Sequence, residues 1–434
     1  MKLTVAFLVA ALALGDLSTF LSSPSRIPIL TSDVSTASAA FITPKESLKV
    51  ASGWKVQGVA SGLHNPRSIL FDSAGHLLVV EKSKGLTAFT LNSNGSVKST
   101  KTLLSYKYLN HGLTFSTDGK TLFASSENSA WSWKYNPTSM TLSSQKTIVT
   151  GMDNGHVTRT LLVSKKHPNL LIVSRGSLGN LDASASSAHA SVKVFDWKKV
   201  GSKAYDYVKN GKVLAYGVRN EVGIMEDKAG RVYGVENSAD NLVRVENGQT
   251  TDVHLDNPGE KLNFFGDANS ISGNRWYGYP TCFSVWNPTS FPSGDDFKTG
   301  DWFVQEPNST INDAFCQSKA VKPKLLFQAH SAPLDIKLGN DDAAYVSFHG
   351  SWDRKPPTGY KVVAIPGSVS SSGAWTPKAN VSSKSGYTDI MYAPDLTKCP
   401  DACFRPTGLV WNKAGTRLYV SSDATGEIVV LSRT

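Results

Sequence analysis

The sequence predicts an all-β fold: a six-bladed β-propeller of four-stranded antiparallel blades around a central channel. Two observations carry that prediction. One hairpin template recurs six times, and long helical stretches rich in Ala, Glu and Lys are missing while Ser, Thr, Gly and Asn are abundant. Each repeat runs as an apolar strand, a turn rich in Asp, Asn, Gly or Lys, and a second strand of β-branched and aromatic residues. The repeats are Ser68 to Glu81, Leu113 to Glu127, Leu161 to Arg175, Gly223 to Glu236, Leu334 to His349 and Gly408 to Ser422. Their spacing lengthens late in the chain, chiefly because of an insertion between Asn257 and Gln328. A β-sandwich is the competing all-β architecture, but its strands do not recur as one hairpin template.

The ends of the chain have their own composition. Lys2 followed by the apolar run Leu3 to Leu14 reads as a signal peptide covering about residues 1–21, and the run is shorter than the roughly 20 residues a membrane span needs. Residues 22–50, rich in Ser, Thr, Ala and Pro, read as a propeptide or linker, which leaves 51–434 as one propeller domain. The segment Ile428 to Leu431 is expected to close the last blade, which leaves nothing for a haem domain or a cellulose-binding module, so that a cytochrome partner would be a separate protein; the chain is expected to be a monomer.

Secretion also fits the four cysteines, for which the nearest pairs, Cys282 with Cys316 and Cys399 with Cys403, are the expected disulfides among three possible connectivities. Asn94, Asn308 and Asn380 each begin a glycosylation sequon. The formal net charge is +10, yet Lys and Arg are scattered without a basic run or helix. That pattern excludes nucleic acid and a membrane surface as expected partners and leaves a solvated basic surface.

In a propeller the residues just before each innermost strand gather at one end of the channel. Here they are His64 to Arg67, Asn110 to Gly112, His156 to Arg159, Arg219 to Val222, His330 to Pro333 and Phe404 to Thr407. The far ends of the second strands return to the same face with Glu81-Lys82, Glu127-Asn128, Arg175-Gly176, Glu236-Asn237, His349-Gly350 and Ser422-Asp423. A ring rich in Arg and His suits a flat, multiply negative ligand, because guanidinium forks bind carboxylates bidentately. A calcium site built from side chains would need six to eight oxygens, and Asn110, Asn220 and Glu221 are too few.

Six ordered motifs resemble those of the pyrroloquinoline quinone (PQQ)-dependent sugar dehydrogenases, most closely the secreted fungal pyranose dehydrogenases of sorbosone dehydrogenase-like type. They are His156 to Leu161, Arg175 to Asn180, Tyr216 to Gly223, Asn274 to Pro280, Phe348 to Arg354 and Cys403 to Gly408. The resemblance implies oxidation of an aldose or pyranose at C1, with PQQ and calcium as cofactors and a cytochrome or other redox protein as external electron acceptor. By the same resemblance His156 is the general base, Arg219 with Asn220 stabilises negative charge beside the quinone, and Arg354 and Arg405 anchor cofactor carboxylates. Arg67, Lys82, His349 and Trp352 join the cofactor-binding set, and the main-chain carbonyls of Ser238 and Ala239 hold the calcium.

Two departures from the related soluble quinoprotein glucose dehydrogenases stand out. Cys403 lies near where that branch carries a second arginine, and Asn110-His111-Gly112 replaces a glutamine-containing run near the substrate. Asn110 and His111 are therefore candidate substrate-binding residues, and L-fucose or a 2-keto sugar is expected in preference to glucose. A cofactor-free propeller acting as a binding module, or a calcium-dependent lactonase-type hydrolase, are the alternatives. Retention of His156, Arg219, Arg354 and Arg405 together speaks against the first, and the shortage of channel carboxylates against the second.

Overall fold

Six innermost strands, one from each predicted hairpin, stand side by side around a channel. The computed structural model describes residues 40–184, 187–292 and 296–434. Its inner hairpins are Pro66–Phe71 with Leu77–Glu81, Leu113–Phe115 with Thr121–Ser125, and Leu161–Val163 with Leu170–Arg175. The other three are Glu221–Glu226 with Arg231–Glu236, Pro333–Leu338 with Ala344–Phe348, and Pro406–Trp411 with Arg417–Ser422. Each innermost strand neighbours that of the next blade, and the sixth returns to the first. All six hairpins expected from the sequence are present. The predicted signal peptide, residues 1–21, lies outside the described residues.

The second strand of a blade is covered on both faces by neighbouring blades, so it carries a continuous apolar run instead of an alternating one. Leu77 to Val80 and Leu170 to Val173 are buried throughout. Serines near the ends of these strands stitch one blade to the next. Ser125 Oγ donates to the Arg159 carbonyl at 2.7 Å, Ser347 Oγ to Thr407 at 2.6 Å and Ser421 Oγ to Arg67 at 2.6 Å. Such close approach needs a small residue on the innermost strand: a Cβ on Gly408 would lie 2.6 Å from the Arg67 carbonyl oxygen.

Blade six is completed by the other end of the chain. Its third strand is Glu427–Arg433 and its outermost strand is Trp54–Ala60, registered with Trp54 opposite Arg433 and Val56 opposite Leu431. The segment Ile428 to Leu431 thus sits one strand further in than a closing strand. The ring is closed because the start of the domain covers the free edge that its end would expose.

The fold also begins earlier than residue 51. Lys49–Val50 pairs with Thr388–Tyr392 as a fifth strand of blade five, Ile42 bridges Gly58, and Glu46 accepts a hydrogen bond from the Phe404 amide at 2.6 Å. The stretch 40–50, expected as linker, is therefore packed on the propeller. Blade two also gains a fifth strand, Tyr205–Asp206, so two blades depart from the expected four.

The insertion leaves blade four between its third strand, Glu260–Asp267, and its fourth, Leu325–Phe327. It carries Asp313–Lys319, the one α-helix among the described residues, and is stapled by Cys282–Cys316. The second expected disulfide, Cys399–Cys403, is also formed.

Leu431 is fully buried in the closing seam. Leu431→Ala should cost about 2–5 kcal/mol of stability by leaving a cavity there. The exposed Val213→Ala should stay within about 0.5 kcal/mol. Urea unfolding midpoints of the two variants check the difference.

Candidate active site at the channel mouth

The channel opens at both ends, and the two cavities differ in chemistry. At the hairpin-turn end a cavity of about 950 Å³ is lined by the innermost strands of all six blades. At the other end a cavity of about 350 Å³ is walled by Arg67, Lys82, Asn110, His156, Asn220 and His349, among others. Size favours the first. Convergence of perturbed imidazoles and cations favours the second, the end at which the sequence placed its polar ring.

His156 sits on a loop that Arg159 fastens. The fully buried Arg159 guanidinium donates to the carbonyls of Met152 at 3.0 Å, Thr158 at 2.9 Å and Asn154 at 3.1 Å, and also to that of His156. Opposite the loop, Gly176 leaves the room that the histidine fills, since a Cβ there would lie 2.6 Å from the His156 Cβ and 2.6 Å from Asn220 Oδ1. His156 Nδ1 lies 2.9 Å from the Ser177 carbonyl oxygen. A carbonyl only accepts, so Nδ1 carries the proton and Nε2 is the basic nitrogen. Burial, aided by the Arg219 charge, lowers the imidazole pKa to about 4 against the opposing Ser177 hydrogen bond. The ring is therefore neutral in mildly acidic solution.

Arg219 lies behind this wall and does not line the cavity. Its Nε donates to the Asn180 carbonyl at 3.2 Å, and its Nη2 to Asn180 Oδ1 at 3.0 Å and Asp240 Oδ2 at 2.6 Å. The cation acts on the cavity through its field. Beyond it, Asp240, His330 and Asp353 bring three potential metal-ligand atoms within 4.8 Å of one another. Burial pushes the Asp240 carboxyl up. Burial also opposes ionisation of Asp353, but the His330 ring, 3.0 Å away, holds that carboxyl below its usual range. Ser238 and Ala239, immediately before Asp240, are both buried, and their carbonyls accept no hydrogen bond from a described residue. Carbonyl and carboxylate oxygens are the kind of donor a hard cation takes.

The remaining predicted residues divide. Arg67, Lys82, Asn110, Asn220 and His349 line the cavity. Asn110 Nδ2 donates to the Val157 carbonyl at 2.8 Å, and its Oδ1 is buried without a partner. Arg405 stands beside the cavity, donating to the carbonyls of His349 at 3.0 Å and Gly350 at 2.8 Å with its guanidinium 5.5 Å from the centre of the Tyr360 ring. Trp352 stands 67% exposed.

Two of the expected site residues lie elsewhere. His111 lines the other cavity, with Arg67 Nε donating to its Nδ1 at 3.3 Å. Arg354 is tied down by Asp256 at 3.2 Å and by the carbonyls of Leu255 and Pro356, because the loops of blades four and five meet there. It does not line the cavity.

Sequence reasoning placed Arg159 in the ring and Ser177 and Asp353 within the quoted motifs but gave none of them a role. It passed over Asp240, a carboxylate three residues beyond Asn237 of the predicted ring.

Fold and site together define a six-bladed propeller with a basic, imidazole-lined pocket at the channel mouth opposite its hairpin turns. The TrAA12-like family matches residues 48–434, and the chain belongs to that family. It is 44% identical over 402 residues to a pyrroloquinoline quinone-dependent pyranose dehydrogenase of Coprinopsis cinerea, covering 90% of this chain and 55% of that protein. The chain thus spans about half the length of that curated relative. The holo form of the PQQ domain of the Coprinopsis cinerea pyranose dehydrogenase superposes with a TM-score of 0.88 at 43% identity, covering 90% of this chain and 98% of that one. A calcium structure of the Trichoderma reesei family AA12 enzyme gives 0.84 at 39% identity, covering 91% and 99%.

The His156 environment makes a direct prediction. Imidazole NMR of the apo-protein should show this ring titrating near pH 4 as the Nδ1–H tautomer, whereas a midpoint near 6.5, the value of an unburied histidine, would contradict the site.

Proposed function

We propose that this chain is a PQQ- and calcium-dependent dehydrogenase that oxidises the C1 hydroxyl of a pyranose sugar to the lactone and passes the electrons to an external acceptor. The observation that carries the reading is His156: a neutral imidazole with its tautomer fixed by Ser177 and its basic nitrogen available, in a pocket walled by Arg67, Lys82 and His349. The names of the Coprinopsis and Trichoderma relatives supply the cofactors, and the residues present fit both. Cations and imidazoles suit a flat polycarboxylate, and the unpaired carbonyls of Ser238 and Ala239 beside Asp240 suit calcium.

Bound PQQ would supply an ortho-quinone as hydride acceptor, and bound calcium would supply Lewis acidity to it. The work of the chain is positional and electrostatic. His156 Nε2 takes the proton of the C1 hydroxyl, and the pKa of about 4 keeps it competent at mildly acidic pH. The Arg219 charge disfavours imidazolium and favours negative charge developing nearby. Arg67, Lys82, His349 and Arg405 hold the anionic groups of the cofactor, Asn110 contacts the sugar, and Trp352 offers an exposed stacking face at the rim. L-fucose and 2-keto sugars are the leading substrates.

The setting we infer is extracellular. Two disulfides suit an oxidising compartment, and Asn94, Asn308 and Asn380 are all exposed, as glycan acceptors must be. Among the described residues no helix is long and apolar enough to cross a membrane.

The test is to add PQQ and calcium to the apo-protein and follow quinone absorbance while titrating L-fucose, D-glucose and 2-keto sugars. Bleaching with at least one sugar is expected, and none with any sugar would overturn the reading. His156→Ala should bind cofactor and lose sugar-driven reduction by at least about 100-fold. Unchanged turnover would remove His156 from the role.

A further inference from the structure

Behind the basic wall of the pocket stands a carboxylate that does not itself line the cavity. Asp423 follows the second strand of blade six. Its Oδ2 accepts from Arg67 Nη1 of blade one at 2.5 Å, and its Oδ1 lies 2.8 Å from His349 Nε2 of blade five. One side chain therefore joins three blades, and both of its partners line the cavity.

The geometry limits what those partners can do. Arg67 spends Nη1 on Asp423 and Nε on His111, which leaves Nη2 without a partner among the described residues. The His349 ring is fixed in orientation, with Nε2 as the nitrogen turned to the carboxylate. Burial acts against the Asp423 charge, but His349 and Arg67 hold its carboxyl far below the ordinary range. The lowered pKa favours the anion, the form that accepts from both partners.

We propose that Asp423 is a positioning residue for the anionic end of the cofactor: it aims Arg67 and His349 into the pocket from behind without touching the ligand. The inference rests on reading this pocket as the PQQ site and goes beyond it by assigning the geometry of two ligand-facing groups to a third residue on a different blade. It also separates two roles that an interblade ion pair could have. A clamp that only holds blades together would change unfolding, whereas a positioning residue changes cofactor affinity through Arg67 and His349 alone.

The experiment is a titration of apo-protein with PQQ in the presence of calcium, read by tryptophan fluorescence, alongside thermal unfolding of each apo variant. Asp423→Asn should weaken PQQ binding by about 10- to 100-fold, the usual effect of removing a partner that orients a ligating group. In an Arg67→Gln/His349→Gln background the same substitution should produce no further loss, because the residues it acts through are gone. Unchanged affinity in Asp423→Asn, or an undiminished loss in that background, would overturn the proposal.

If Asp423→Asn alone fails to fold because Arg67 is left as an unpaired buried cation, the charge-balanced Arg67→Gln/Asp423→Asn is compared with Arg67→Gln. A further loss, through His349, is then expected, and equal affinities would overturn the proposal. A wild-type chain that binds no PQQ overturns the functional reading as well. A wild type that binds PQQ while Asp423→Asn binds it equally overturns only this inference.

Discussion

Ring closure is the constraint on which everything else depends. Six blades around a channel have no stable edge only if the last is sealed, and the seal is the antiparallel pairing of Trp54–Ala60 with Glu427–Arg433. That seam does more than bury apolar surface. Blades five and one supply His349 and Arg67 to the basic wall of the pocket, and Arg405 of blade six braces the carbonyls of His349 and Gly350 beside it, so that wall straddles the region where the two ends of the domain meet. The segment before the seam is tied in as well, with the Lys45 amide donating to Glu427 at 2.8 Å and the Phe404 amide to Glu46 at 2.6 Å.

Within the closed ring the pocket divides its charges by depth. His156 is kept neutral by burial and by the Arg219 field, which suits a proton acceptor. Arg219 is held in place by Asp240, and Asp240 stands in the trio with His330 and Asp353, so base and candidate cation site are linked through one guanidinium. Asp423 serves the opposite wall. Carboxylates thus lie behind the first layer of the cavity, where they orient cations without repelling an anionic ligand.

The hairpin repeat was legible because a strand covered on both faces must be apolar along its length, and turns such as Asp72 to Gly75 recur with it. The basic cavity was legible because residues flanking several of the six hairpins converge on it. Other features leave no local mark. The seam joins residues at opposite ends of the domain, so nothing near Trp54 announces its partner. An arginine aimed at a ligand reads the same as Arg159 or Arg175, whose guanidiniums donate to loop carbonyls. Which cavity His111 meets is set by the loop before Leu113–Phe115 and not by a side-chain pattern, and candidate backbone ligands such as the carbonyls of Ser238 and Ala239 are invisible in any such pattern, so only the family resemblance pointed to them.

The proposed ligand chemistry belongs to one mouth of the channel, the smaller one. Hydrogen exchange measured with and without PQQ and calcium distinguishes the two ends. Slowed exchange is expected in residues 155–158, 237–240 and 349–354, and none in the turns at 72–75 and 117–120. Protection confined to those turns, at the larger cavity, would contradict it.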